Sequence, residues 1–190
     1  MKKLMPFLIV GLVVRLWLMT ATVHPDIRGH NLAAYLIAQK GEILSFYDYI
    51  IRLPRDHALV TLYHDGLFIY PPLAYLTHAV SNFLLYPLYP KNLFQTLILD
   101  MGQAVGRPGF GFLTFLLKFP YLIADAVGLA VLYRFLDPKH RFFGSILWLF
   151  NPLTLYSAYM LAQFDIFLAL FLLLALAYPK FSPIFIGLAA

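Results

Sequence analysis

Cysteine is absent from the 190-residue sequence, and charged residues are scarce, at 12% of the chain. Without cysteine there are no disulfides, thiolate metal ligands or cysteine nucleophiles. A soluble domain carries about twice this share of charged residues, whereas here 62% of the residues are hydrophobic and the mean hydropathy is +0.77. These values exclude a soluble globular enzyme and a disordered tail, and they predict a membrane protein.

The apolar stretches predict an all-α, polytopic integral membrane protein with about four complete transmembrane helices and the start of a fifth. The first span covers about residues 5–23; a signal peptide is the alternative, but Arg15 interrupts the apolar run and no cleavage-site pattern follows. The further spans are 119–136, 143–160 and 164–178. Because the last apolar run, 183–190, is too short to cross a bilayer, we expect residues 1–190 to form a single module that is the N-terminal part of a longer protein.

Residues 24–117 differ from the rest of the chain, because prolines, histidines and charges interleave there with short apolar stretches. This pattern predicts a large loop of short amphipathic helices after the first span. One helix is expected over 31–40, where Gly41 ends it, and another over 42–52. The stretch 67–88 is broken by prolines and is interpreted as interfacial or re-entrant rather than spanning.

Basic residues near span ends predict the orientation, since such residues stay in the cytoplasm. The N-terminus is therefore predicted in the cytoplasm and residues 24–117 outside, from the positions of the basic residues Lys2, Lys3, Lys139, Arg141 and Lys180. The loop contains six basic and six acidic residues, so the net charge of +5 belongs to the cytoplasmic ends. We interpret the charge as a topology signal and predict no nucleic-acid partner. The expected location is an integral membrane site, the plasma membrane if the protein is prokaryotic.

Four ionisable residues lie in or beside the predicted spans: Arg15, Lys118, Asp125 and Asp165. Such residues are costly in a bilayer and mark functional sites by default. The structural alternative is that they pair with one another, because two are positive and two negative. For Lys118 a second alternative is that its stem lets the ammonium reach the interface.

Asp26 is the loop acid nearest to the first span, directly after His24-Pro25. A carboxylate there is expected at the membrane surface, beside the headgroup of a lipid-borne substrate, with Arg28 and His30 as polar neighbours. The alternative is that Asp26 only caps a helix over 27–40.

Five of the six histidines lie in this loop, but none has the spacing of a ligand pair on one helix. No cofactor or metal ligand is therefore predicted, although histidine and carboxylate side chains leave a divalent metal open.

Several short stretches occur in a fixed order along nearly the whole chain. They are His24-Pro25-Asp26, Gly41 after a short amphipathic helix, YHDGLFIYPPLAY at 63–75, KFPYLIAD at 118–125, Asn151-Pro152, and AQFD at 162–165. In this order the chain resembles the N-terminal portion of GT-C superfamily glycosyltransferases that use polyprenyl-phosphate sugars. The resemblance is to the lipid-linked oligosaccharide glucosyltransferases and to the GPI-anchor and bacterial mannosyltransferases.

The resemblance implies transfer of a hexose, with inversion, from a polyprenyl-phosphate donor to a hydroxyl of a glycan, lipid or protein acceptor on the external face. It assigns the general base to Asp26, with Asp65 as second candidate because Ile27-Arg28 depart from the family's acidic context. One carboxylate suffices to take the acceptor proton, and a nearby cation stabilises the leaving phosphate. The expected substrate-binding residues are Arg28, His30, His64, Tyr70, Lys118, Gln163 and Asp165.

Two other classes of protein remain open. A non-catalytic membrane scaffold, or half-enzyme completed by a C-terminal portion or partner chain, predicts that Asp26 is dispensable. A lipid or solute transporter predicts broken helices near the midplane and an inverted repeat. The sequence instead concentrates its polar residues in one loop and shows no internal repeat, which favours the transferase. Membrane lipids are expected partners in every case.

Overall fold

A computed structural model of the chain describes residues 2–63 and 67–189. Every regular element in these two ranges is helical, which confirms the predicted all-α class. The chain divides into two compact units, one formed by Met1–His24 with Lys118–Ala190 and the other by Pro25–Leu117. The second unit has nearly the same bounds as the predicted loop 24–117, while its side of the membrane stays a prediction.

Within residues 2–63 and 67–189, two helices are long and apolar enough to cross a membrane. The first is α1, Met5–Ala21, which a 3₁₀ turn over Lys2–Leu4 extends to a candidate span of 20 residues. The second is α7, Phe110–Phe135, whose 26 residues give about 39 Å at 1.5 Å per residue, more than the roughly 30 Å of a hydrocarbon core. Helix α7 begins nine residues before the predicted span, so that Lys118 and Pro120 lie inside it. The two helices support a membrane protein.

The predicted span 143–160 is not a continuous helix. Helix α8, Arg141–Leu149, ends before Asn151, and a short α9, Pro152–Thr154, leads into a π-helical segment, Leu155–Met160. The side chain of Asn151 accepts a hydrogen bond from the N–H of Leu153, and Pro152 lacks the N–H that would continue the preceding helix. These two residues therefore break the apolar stretch into separate elements.

The predicted span 164–178 is matched by α10, Asp165–Ala177, which is too short to cross a membrane alone. A 3₁₀ turn over Pro179–Phe181 connects it to α11, Ser182–Ala189, and the chain bends by 119° at this break. The described residues thus contain two candidate spans, or three if this bent pair is one span. Four complete spans are not confirmed.

The first unit is held together by close contacts between its helices. A methyl group on Gly128 of α7 would lie 2.6 Å from Cζ2 of Trp148, so only glycine lets α8 approach α7 this closely. Small residues have this role at helix contacts in membranes, where backbones must come near each other to gain van der Waals contact. The close approach places the Trp148 indole beside Asp125 of α7.

The second unit is built from short helices around an aromatic core. Its α-helices are α2, Asp26–Lys40; α3, Ala58–Tyr63; α4, Pro72–Leu85; α5, Lys91–Leu99; and α6, Met101–Ala104, with 3₁₀ turns at Ser45–Asp48 and Tyr86–Leu88. Helix α2 packs mainly on α4. Phe46 of the 3₁₀ turn and Tyr75 of α4 are fully buried and meet edge to face, with ring centroids 5.1 Å apart.

The predicted helices in this region are confirmed in part. The helix expected over 31–40 begins earlier, at Asp26, and ends at Gly41 as predicted, because Gly41 has the left-handed φ of 72° that glycine adopts without strain. The expected helix over 42–52 contains only the 3₁₀ turn at Ser45–Asp48. Within 67–88 there is one α-helix, α4, whose 14 residues give about 21 Å, too short to span a bilayer.

Candidate functional site

A pocket of about 290 Å³ in the second unit brings together four residues that the sequence predicts as functional: Asp26, Arg28, His30 and Tyr70. The first three lie within the first turns of α2, and Tyr70 comes from the segment before α4. Pockets for small molecules have about 300–1,000 Å³, so this one is at the lower end of the range and has room for a group of about sugar size. An acid, a cation and aromatic rings thus share one cavity.

Asp26 is the first residue of α2, and the helix N-cap is Pro25. The alternative that Asp26 is an N-cap is therefore wrong. Its half-buried carboxyl group lies in the first turn of α2, on the lining of the pocket. A carboxylate in that setting is suited to accept a proton from a bound hydroxyl group.

Arg28 lies over the ring of Tyr63, with its guanidinium carbon 5.2 Å from the ring centroid. Its Nε atom is buried, and among the described residues it has no hydrogen-bond acceptor. Leaving such a donor unpaired costs about 1–3 kcal/mol, which an anionic ligand in the pocket would recover. Burial raises the pKa of Tyr63, and the charge of Arg28 partly offsets this, so that the phenol is neutral at physiological pH.

The backbone of Tyr70 is fixed on both sides. The Tyr47 hydroxyl donates to the carbonyl oxygen of Tyr70 at 2.6 Å, and the N–H of Tyr70 donates to the Tyr75 hydroxyl oxygen at 3.1 Å. Burial raises the pKa of Tyr75 to about 12. This phenol therefore stays neutral, and the Tyr70 ring is held at the pocket by a stable aromatic core.

His30 is buried against the same aromatic cluster. Its ring meets Tyr70 edge to face, with centroids 5.5 Å apart, and lies 5.8 Å from the ring of His78. Next to it, a methyl group on Gly29 would lie 3.1 Å from Cδ1 of Leu67, so glycine lets the segment after residue 66 approach α2 closely. Of the pocket residues, His30 is almost fully buried, while Asp26 and Arg28 are half-buried.

Burial gives His78 an unusual pKa with a measurable consequence. The histidine is enclosed, and burial lowers its pKa from 6.5 to about 4; its Nδ1 lies 3.2 Å from the carbonyl oxygen of Ala74. Because the unfolded chain binds the proton at higher pH than the folded chain, stability falls as the pH drops from 6.5 towards 4.

We expect this histidine to contribute roughly 1 kcal/mol per pH unit to that loss, the effect of about one proton taken up on unfolding. The measurement is urea unfolding of the full chain in neutral micelles, followed by circular dichroism across this window. The variant His78→Asn keeps a side-chain donor for the Ala74 carbonyl oxygen. In this variant the number of protons taken up on unfolding, which sets the pH slope of stability, should fall by about one. An unchanged slope in the variant would contradict the assignment.

Three predicted residues, Lys118, Gln163 and Asp165, belong to the first unit. The ammonium of Lys118 is fully buried and donates to the Thr22 carbonyl oxygen at 2.7 Å, to the Thr22 hydroxyl oxygen at 2.9 Å and to the Tyr159 carbonyl oxygen at 2.7 Å. All three of its N–H groups thus have protein acceptors. The alternative that Lys118 extends to the membrane interface is therefore wrong.

Gln163 and Asp165 follow a strained residue. Ala162 has a left-handed φ of 58°, which is unfavourable for a residue with a side chain, and its carbonyl oxygen accepts a hydrogen bond of 2.6 Å from the Tyr121 hydroxyl. The N–H of Gln163 donates to the carbonyl oxygen of Ser157 at 2.9 Å. Asp165 begins α10 and is exposed.

The predicted pairing of membrane charges is confirmed for Arg15 and Asp125. Arg15 Nε donates to Asp125 Oδ2 at 2.5 Å, and both side chains are almost fully buried. Two further donors reach the carboxylate, Trp148 Nε1 at 2.5 Å and the Tyr159 hydroxyl at 2.6 Å. Arg15 Nη1 donates to the Gly11 and Leu149 carbonyl oxygens. The ion pair is the centre of a buried hydrogen-bond network.

His64 and Asp65, the second candidate base, lie outside the described residues. Across 2–63 and 67–189, no group of three or more histidine, aspartate or glutamate side chains is arranged to hold a metal ion. The metal dependence of the protein therefore stays a prediction.

Sequence reasoning missed two residues of the site. The ring of Tyr63 supports Arg28, and Gly29 is a point of close approach between α2 and Leu67, but neither role is evident from the sequence pattern. The signal for Gly29 was its position inside a helix, where glycine is unfavourable unless a close contact requires it. For Tyr63 no periodicity links it to α2, since their contact depends on tertiary structure.

No family model matches the sequence, and neither a curated protein nor a solved structure matches it. The resemblance to GT-C glycosyltransferases therefore rests on the sequence stretches quoted above.

Proposed function

We propose that the chain is a membrane glycosyltransferase module that moves a hexose from a polyprenyl-phosphate donor to an acceptor hydroxyl group, with inversion at the anomeric carbon. One observation carries the proposal: Asp26, Arg28, His30 and Tyr70, each chosen from the sequence for this chemistry, line a single pocket. Asp26, Arg28 and His30 are close because they share the start of α2, so the informative part of this observation is that Tyr70, from the segment before α4, lines the same pocket.

The chemistry needs one base and one cation. As the acceptor oxygen attacks the anomeric carbon, its proton passes to the Asp26 carboxylate. The new carbon–oxygen bond forms while the bond from the anomeric carbon to the phosphate oxygen breaks, and the polyprenyl phosphate leaves with the electron pair. Arg28, with a buried Nε directed at no acceptor within the described residues, stabilises the departing phosphate. Tyr70 offers an aromatic face to the sugar ring.

The pocket is expected at the membrane surface. Asp26 follows the candidate span Lys2–Ala21 after only four intervening residues, so the base cannot lie far from the lipid headgroups that carry the donor. We propose that the N-terminus is cytoplasmic, that the second unit is external, and that the chain crosses the membrane four times, including its broken helices. In a prokaryote this membrane would be the plasma membrane. The neutral second unit and the basic span ends support this orientation.

The test is sugar transfer by the full chain in lipid nanodiscs. A panel of radiolabelled polyprenyl-phosphate hexoses is supplied together with glycan, lipid and peptide acceptors, and labelled product is separated from donor by chromatography. We expect transfer from at least one donor, with inverted configuration at the anomeric carbon of the product. Absence of transfer from every donor above the level of empty nanodiscs would contradict the proposal.

A lipid or solute transporter is the second candidate, and one observation favours it. The apolar stretches after residue 141 form broken helices, including the 119° bend between α10 and α11, and broken helices are common at transporter binding sites. Reconstituted vesicles separate the two functions, because a transporter moves labelled polyprenyl-phosphate sugar between leaflets without cleaving it, whereas the transferase releases polyprenyl phosphate.

A further inference from the structure

A second cavity lies in the first unit, at the N-terminal end of α1. It has a volume of about 740 Å³ and is lined by Lys2, Lys3 and Arg141 together with Tyr133, Phe142, one leucine and one proline. Three of these side chains are cationic and none is acidic. In the described part of the chain no carboxylate forms an ion pair with any of the three. The cavity is therefore strongly positive.

Arg141 is oriented before any ligand arrives. Its Nε donates to the Leu136 carbonyl oxygen at 3.0 Å, and its guanidinium carbon lies 5.2 Å from the centre of the Tyr133 ring. Within residues 2–63 and 67–189, its two terminal nitrogens have no protein acceptor. A guanidinium group held in this way offers two parallel N–H donors, which match two oxygens of a phosphate group.

The position of the cavity along the candidate spans favours a lipid as its ligand. Lys2 is the first residue of the span Lys2–Ala21, and Tyr133 lies in the last turn of Phe110–Phe135. These ends share one cavity, so the two spans are antiparallel and the cavity is at the depth of the lipid headgroups. An apolar wall continues it into the bilayer, because Phe142 meets Phe7 edge to face, with ring centroids 5.7 Å apart.

We propose that this cavity binds the headgroup phosphate of an anionic phospholipid. Arg141 holds the phosphate, Lys2 and Lys3 supply further positive charge, and Phe142 contacts the start of the acyl chains. A free phosphate ion would gain the charge interactions but nothing from the apolar wall. The site is separate from the Asp26 pocket, and the proposal depends on the chain lying in a membrane, not on sugar transfer.

The test is lipid binding by the full chain in neutral detergent micelles, measured by native mass spectrometry. Short-chain phosphatidylglycerol, phosphatidylcholine and inorganic phosphate are titrated separately. We expect phosphatidylglycerol to bind at least tenfold more tightly than phosphatidylcholine, since each basic residue near an anionic lipid contributes about fivefold in affinity. Equal affinity for the two lipids, or saturation by inorganic phosphate at the same concentration as phosphatidylglycerol, would overturn the proposal.

Two variants separate the cavity from general charge. The triple variant Lys2→Gln, Lys3→Gln, Arg141→Gln should lose the preference for phosphatidylglycerol. A matched control, Lys40→Gln, Arg55→Gln, Arg107→Gln, removes the same charge from exposed positions of the second unit and should keep it. If Arg141→Gln prevents folding, Lys2→Gln with Lys3→Gln alone should still weaken binding more than tenfold, at about fivefold per residue. Equal loss in the cavity variants and the control would contradict a defined site.

Discussion

Replacing Asp26 by asparagine is expected to lower the turnover number for sugar transfer by a factor of about 10² to 10⁴, the usual contribution of a positioned general base. Asparagine has nearly the same shape but does not accept a proton at neutral pH. Arg28, His30 and Tyr70 still line the pocket, so the Michaelis constant for the donor should change only a few-fold. The measurement is steady-state transfer in nanodiscs with varied donor and saturating acceptor.

Asp48→Asn is the matched control for this variant. It makes the same chemical change at an exposed position of the second unit, outside the Asp26 pocket, and transfer should stay within about twofold of the unmodified chain, as is usual for surface substitutions. If Asp26→Asn folds normally, as shown by circular dichroism, but loses transfer while the control keeps it, the loss is caused by the missing base and not by misfolding.

Asp65→Asn distinguishes the two candidate bases. If Asp26→Asn keeps full transfer and Asp65→Asn loses it, the base is Asp65 and Asp26 only contributes charge at the start of α2. If both variants keep full transfer, the assignment of the base to either residue fails, and the scaffold interpretation gains support. The double variant is informative as well, because two residues that act in one step lose no more together than the more severe single change.

Local rules predicted those parts of the structure that depend on a few neighbouring residues. The end of α2 at Gly41 follows from the left-handed conformation that glycine adopts. The break near Asn151 was not predicted, since 143–160 was expected to be one span, although the missing N–H of Pro152 accounts for it. The predicted start of α7 is nine residues too late, because a charged residue such as Lys118 is expected to flank a span and not to lie inside it. Its buried ammonium is instead satisfied by acceptors at residues 22 and 159, which no local pattern reveals.

The candidate site likewise contains residues that the sequence can group and residues whose proximity depends on the tertiary structure. Asp26 and His30 could be grouped from the sequence because positions four apart on a helix are neighbours on one face, and Arg28 lies in the same turn between them. The addition of Tyr63 and Tyr70 depends on the path of the chain between α2 and α4, which hydrophobic periodicity does not specify. The contacts of Asp125 with Trp148 and Tyr159 likewise join separate elements, and the sequence indicated only that its charge needed a partner.

The second large effect is expected at the buried ion pair of the first unit. Arg15→Gln leaves the Asp125 carboxylate buried without its cation, and Asp125→Asn leaves the guanidinium group without its anion. Removing one partner of a buried pair typically costs about 3–5 kcal/mol. Each single variant should therefore unfold at much lower denaturant concentration than the unmodified chain, as measured by circular dichroism during titration in mixed micelles.

The double variant Arg15→Gln, Asp125→Asn should recover much of this loss, because no unpaired charge then remains and the asparagine oxygen still accepts from Trp148 or Tyr159. A coupling energy within the range of about 0.5–3 kcal/mol, and near its upper end, is expected for residues in one network.

Arg134→Gln is the matched control, since it makes the same change at an exposed position in the last turn of α7 and should be nearly neutral. Additive losses in the double variant would show that the two charges do not depend on each other. Recovery would instead show that Arg15 and Asp125 stabilise the first unit mainly by neutralising each other where water is excluded.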